Sequence, residues 1–330
     1  MQSPIKIFFS TLLLMFGTLA FSIQPAFAAT RTYYIAAENV VWDFAPSNQD
    51  LIHGGPIPAP WTASHIFPKV RFIEYTNSSF STPKPQPAWL GVIGPIIRAE
   101  VGDTIVVNFF NRGSQAYSMH PHGVRYDKNS EGSYHPGIPT GAGGQVAPGA
   151  SFVYTWKADA GSGPGVAGPS SVVWWYHSHV NETADINAGL LGPIIITRKG
   201  QAKADGSPND VQGEFVNVYM IFNELNGMEA GLMHGINGYI FGNLPGLEMK
   251  NGDKVRWHVL GMGNELDLHT PHWHGKTLDF RYQNTDVIEL LPGSMASATM
   301  LADNPGTWLI HCHVGDHINA GMQAYYKINP

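Results

Sequence analysis

Cysteine is almost absent: Cys312 is the only one in 330 residues. An internal disulfide is therefore excluded, and the lone thiol is either a buried inert group or a ligand. Charge is scarce as well. Asp, Glu, Lys and Arg make up 13% of the chain, and the net charge of -6 offers no basic face, which argues against nucleic acid as a partner. Past residue 28 no apolar run is long enough to span a bilayer, so no membrane contact is expected of the mature form. Long amphipathic helical periodicity is missing too.

Turn residues and short apolar segments fill that space. With 37 Gly, 24 Pro and 43% hydrophobic residues, the chain reads as a turn-rich protein with a packed core. Residues 104–110, 152–156, 192–197 and 254–260 are β-branched or aromatic runs between turn signals, and they predict strands of β-sandwiches. Residues 1–28 have the form of an export signal: Lys6, an apolar run over 7–23 and the small-residue site Ala26-Phe27-Ala28. Cleavage near Ala28 and a periplasmic or secreted location are expected.

The remainder repeats itself. Gly102-Asp103 leads through a strand to His120-Pro121-His122-Gly123, and Gly252-Asp253 leads likewise to His272-Trp273-His274-Gly275. His177-Ser178-His179-Val180 runs on to Ile186-Asn187-Ala188-Gly189-Leu190. Its counterpart, His311-Cys312-His313-Val314, runs on to Ile318-Asn319-Ala320-Gly321-Met322. The polar stretch 198–213 separates the copies, giving domains at 29–197 and 214–330.

Ten of the 15 histidines lie in these motifs or close beside them, as His269 does. A thiolate, imidazoles and a more distant thioether suit a blue-copper site. His311 and His313 flank Cys312 and point to the opposite face of a strand, so they imply a second metal centre beside the first. Tyr117, Ser178, Asp185 and Leu190 stand in the first copy where the second has His269, Cys312, His317 and Met322. His53, His65, His135 and His258 fit no motif and read as structural or surface residues, and Met220 reads as core.

HPHG (120–123), HSH (177–179), HTPHWHG (269–275) and HCHVGDHINAGM (311–322), in this order, make residues 29–330 resemble the multicopper oxidases. The resemblance implies an all-β chain of two cupredoxin-like Greek-key β-sandwich domains. It implies a type 1 copper on His269, Cys312 and His317 with Met322 axial, and a type 2 copper on His120 and His272. A type 3 pair would rest on His122, His177, His179, His274, His311 and His313. That is about four coppers per chain, with Cys312, His311 and His313 forming the electron path. The implied enzyme couples one-electron oxidation of a small reducing substrate to four-electron reduction of dioxygen. A homotrimer is also implied, its cluster lying between domain 1 of one chain and domain 2 of the next.

Residues 233–239 (MHGINGY), 242–247 (GNLPGL), 261–270 (GMGNELDLHT), 41–46 (VWDFAP) and 123–129 (GVRYDKN) are similar to the ceruloplasmin-like branch. That likeness makes Glu229, His234 and Asp316 candidates for a substrate iron site. A laccase-like enzyme oxidising phenols or aromatic amines is the other reading, and needs an exposed edge of His269 or His317. The rival enzyme class is a copper nitrite reductase, which keeps its blue copper in the first domain and uses three histidines for a single further copper.

Overall fold

A computed structural model describes residues 28–263 and 267–330; the expected export signal lies outside them except for Ala28. The first part of the chain forms β1 (Thr30–Asp43), β2 (Ile66–Tyr75), β3 (Ile97–Glu100), β4 (Thr104–Asn111), β5 (His120–Pro121) and β6 (Arg125–Tyr126). There follow β7 (Ser151–Lys157), β8 (Ser171–His177), a short helix α1 (Glu182–Ala188) and β9 (Leu191–Thr197). They build two sheets, ordered β2-β1-β4-β7-β6 and β3-β9-β8-β5.

The second part repeats the plan. It forms β10 (Gly213–Asn223), β11 (Leu232–Ile236), β12 (Glu248–Lys250), β13 (Lys254–Gly261), β14 (Pro271–Trp273), β15 (Leu278–Phe280) and β16 (Gln283–Thr285). These are followed by β17 (Met295–Leu301), β18 (Gly306–Cys312), α2 (Gly315–Asn319) and β19 (Gln323–Asn329). The sheets run β11-β10-β13-β17-β15-β16 and β12-β19-β18-β14. Parallel pairs recur at matching places, β1 with β4 and β3 with β9, then β10 with β13 and β12 with β19.

Alternation explains the strands. In β4, Ile105, Val107 and Phe109 are buried while Thr104, Val106 and Asn108 are more exposed, the period-two pattern of a sheet with one face on a core. β13 is buried along nearly its whole length because both of its faces are covered. One core lies within each part. A third, holding Phe44, Phe67, Val173, Leu191, Phe222 and Leu260, draws on both and joins them.

Polar groups pin the same seam. The buried Lys69 ammonium pairs with Glu224 and donates to the Asn187 carbonyl at 2.7 Å. Arg98 pairs with Glu214 at 2.6 Å, and Glu214 also takes His258 at 3.0 Å. A buried charge loses several kcal/mol of hydration, so each of these groups has its counter-charge. The polar stretch 198–213 is held as well: the Glu100 carboxylate accepts the N–H groups of Gly200 and Gln201. Among the described residues no helix is long and apolar enough to cross a membrane.

Candidate metal centre

β18 ends on Cys312 with its thiol turned into the core, and α2 returns His317 to the same place. Cys312 Sγ lies 3.5 Å from His317 Nδ1 and 3.9 Å from His269 Nδ1. A sulfur at roughly 2.3 Å and a nitrogen at roughly 2.0 Å from one ion, about 120° apart, are separated by roughly 3.7 Å. The three donors therefore fit a single metal ion, and all three residues are buried. Met322 is fully buried beside them; its carbonyl accepts the Cys312 N–H at 3.1 Å and its own N–H donates to the His317 carbonyl at 2.9 Å.

Electrostatics favour neutral imidazoles and a cation. Burial pulls His269 down to about 3 and lowers His317, so both present lone pairs at neutral pH. Burial raises the Cys312 thiol, against hydrogen bonds from the backbone that include the Thr270 N–H at 3.3 Å. A bound cation overturns that burial effect and holds the thiolate.

The first part contains the same backbone cradle with other side chains. Ser178 N–H donates to the Leu190 carbonyl and Leu190 N–H to the Asp185 carbonyl, both at 3.0 Å, and Ser118 N–H reaches Ser178 Oγ at 3.1 Å. Inside it, the Ser178 hydroxyl donates to Asp185 Oδ2 at 2.6 Å and Leu190 occupies the place corresponding to Met322. A hydroxyl, a carboxylate and an alkyl chain replace the soft donors, and hydrogen bonds satisfy the two polar groups, Asp185 Oδ2 also accepting the Asn181 N–H at 3.1 Å.

The remaining eight motif histidines form two sets. Strand register places His120 opposite His177 and His272 opposite His311. In the first set, His122 Nε2 is 3.1 Å from His177 Nε2, and the His120 and His179 rings are 5.2 Å apart. In the second, His274 Nε2 is 3.1 Å from His311 Nε2, and the His272 and His313 rings are 5.5 Å apart.

Orientation comes from the backbone. The Nδ1 atoms of His120, His177, His272 and His311 face the carbonyls of Glu131, Ser178, Asp286 and Cys312 at 2.7, 3.0, 2.9 and 2.8 Å. A carbonyl only accepts, so Nδ1 carries the proton and the lone pair lies on Nε2, the tautomer of a metal ligand. Ser133 Oγ meets His179 Nδ1 at 3.2 Å. Among the described residues, every close pair of these histidines lies within one set.

The other expected residues fall as follows. His234 is buried, its ring 5.1 Å from that of His317, and neither of its nitrogens has a partner. Glu229 and Asp316 are exposed, and they are not gathered with His234 into a set like the three above. His269 and His317, one of whose edges a phenol donor would need to reach, are 1% and 5% exposed. His258 is structural, held between Glu214 and Ser297, and His135 packs beside His179. The contacts of Glu131, Asp286 and Thr270 leave no sequence signal, since main-chain atoms make them.

Acid should weaken the metal-free fold. Burial depresses His177 and His269 to about 3 from an ordinary 6.5, so the folded state holds them neutral while the unfolded chain takes up protons. Stability is complete above pH 6.5 and falls as pH drops from there towards 3, by about 1.4 kcal/mol per pH unit for each group. Urea midpoints of copper-stripped protein between pH 7 and 4 check this; a flat profile contradicts it.

Two family models, each described as multicopper oxidase, match residues 73–201 and 217–330. Hephaestin of Homo sapiens is 37% identical over 91% of this chain and 29% of its own length. A ferroxidase of Mus musculus is 35% identical over 91% of the chain and 29% of its own length, and ceruloplasmin of Mus musculus is 33% identical over 97% and 33%. The chain thus spans a third or less of the curated relatives it matches. A multicopper oxidase crystal structure superposes with a TM-score of 0.65 at 22% identity, covering 91% of this chain and 89% of that one. The blue copper oxidase of Nitrosomonas europaea gives 0.60 at 20% identity, covering 91% and 86%. At such identities the likeness speaks for the fold, an all-β, cupredoxin-like one.

Proposed function

The chain belongs to the multicopper oxidase family, and from that premise we propose that it is an exported oxidase passing electrons from ferrous iron to dioxygen. Copper held by His269, Cys312, His317 and Met322 supplies one-electron acceptance, and copper held by the other eight motif histidines supplies reduction of dioxygen to water. In the finer assignment His120 and His272 take the type 2 ion, and His122, His177, His179, His274, His311 and His313 take the type 3 pair.

One observation carries the reading. Cys312 contributes its sulfur to one set of donors while its chain neighbours, His311 and His313, contribute imidazoles to another. A covalent path through the intervening backbone therefore links the two.

Iron is favoured over a phenol by the surroundings of His317. Its imidazole is closed off from solvent, and His234 stands against it with two unpartnered nitrogens, held neutral by burial at a pKa of about 4. Glu229 lies on the turn entering β11, which carries His234, and Asp316 precedes His317 in α2. Carboxylate oxygens with one imidazole suit iron and favour the ferric product. The name of the ferroxidase relative supports the same choice.

Among the described residues the ring contacts of these histidines all fall within one set or the other, which supports completion of the cluster by a second copy. Domain 1 (29–197) of one chain would meet domain 2 (214–330) of the next, and three such heterologous contacts close a ring.

Copper analysis with oxygen uptake tests the proposal. About four coppers per chain and ferrous-iron-dependent oxygen consumption are expected. About two coppers per chain with nitrite turnover would overturn it. Glu229→Ala should cut iron oxidation by about tenfold and spare oxidation of a phenol; equal losses would remove iron as the substrate.

A further inference from the structure

A cavity of 660 Å³ opens at the seam of the two parts, between β1, β2 and the loop over residues 83–96. Arg71, on β2, is part of its lining. Arg71 Nε is buried and has no hydrogen-bond partner. Burial lowers the group below its ordinary value, yet a guanidinium stays protonated in proteins.

The other charges around the cavity are already matched. Glu38 holds Arg112, Glu74 holds Lys84, and Arg98 holds Glu214. Arg71 is left without an ion-pair partner among the described residues. An unpaired, partly desolvated cation is costly unless an anion reaches it.

The rest of the lining is flat and apolar. Trp42 lies under the guanidinium, with Arg71 Cζ 6.0 Å from its ring centre, and Tyr239 stacks obliquely on Trp42 at 5.1 Å. Trp42 is fixed by donating Nε1–H to the Gly238 carbonyl at 2.6 Å. Pro83, Pro85 and Pro87 also line it, with backbone φ fixed by their rings.

We propose that this cavity binds a planar aromatic carboxylate. The fork of Arg71 matches a carboxylate with two parallel hydrogen bonds, and the ring fills the space between the aromatic and proline walls. The volume falls in the range of small-molecule sites, about 300–1,000 Å³. An inorganic anion satisfies the guanidinium but leaves the apolar walls uncovered.

Titration of the copper-loaded protein with 2-naphthoate, followed by tryptophan fluorescence, tests the proposal. Saturable binding is expected, at least tenfold weaker in Arg71→Gln, with the neutral 2-naphthamide binding weakly and equally to both. Undiminished naphthoate binding by Arg71→Gln overturns it, as does inorganic phosphate binding as tightly as naphthoate. A changed oligomeric state in Arg71→Gln also overturns it, because the guanidinium then serves a second copy of the chain. If Arg71→Gln does not fold, Ala88→Trp on the exposed part of the lining fills the cavity and should block naphthoate. Unimpeded binding there rejects the site.

Discussion

Replacing Cys312 by serine should abolish the blue absorption and substrate oxidation together, while the fold and most of the other bound copper survive. The thiolate is the source of the colour and the only side chain that ties the His269–His317 pair covalently to His311 and His313. Serine is nearly isosteric and finds partners at once: the Thr270 N–H lies 3.3 Å from the sulfur, and two imidazole Nδ1 atoms face it. Ser178 already occupies the equivalent place in the first part with every polar atom matched. The stability change should therefore stay within about 1–2 kcal/mol. Absorption spectra, copper content and oxygen uptake of the variant make the test. Normal turnover in Cys312→Ser would falsify the role given to the Cys312 path.

Two inactive variants should restore each other when mixed. His120→Ala/His122→Ala destroys the first histidine set and His272→Ala/His274→Ala the second, so neither homo-oligomer reduces dioxygen. If a cluster takes one set from each of two chains, a contact is intact only where the first set comes from the second variant and the second set from the first. Random co-assembly at equal concentrations gives one half times one half, or about one quarter of wild-type activity. The variants must be unfolded and refolded together so that chains exchange. No activity after verified exchange would place both sets of each cluster in one chain and remove the ring from the proposal.

Those histidines were legible because metal binding demands particular residue types at particular spacings, and a strand fixes which side chains share a face. Residues 104–110, 152–156, 192–197 and 254–260 were readable as strands because their β-branched and aromatic residues are bounded by turns; they correspond to β4, β7, β9 and β13. β1, a 14-residue strand, gave no such signal, since Glu38 and Asn39 break its alternation and its partners lie far along the chain. The Arg98–Glu214 and Lys69–Glu224 pairs were beyond reach for a similar reason: 116 and 155 residues separate the partners. Sequence spacing also said nothing of depth. That His269 and His317 are buried is visible only in the folded chain.

The paired loops around Ser178 and Cys312 bear on the order of events in maturation. Around Ser178 the turn closes on a serine, an aspartate and a leucine, with the same main-chain hydrogen bonds that surround Cys312. The shape of the loop is thus a property of the backbone and needs no ion to template it. A metal ion would then enter a pocket that the chain has already shaped, so folding can precede metallation.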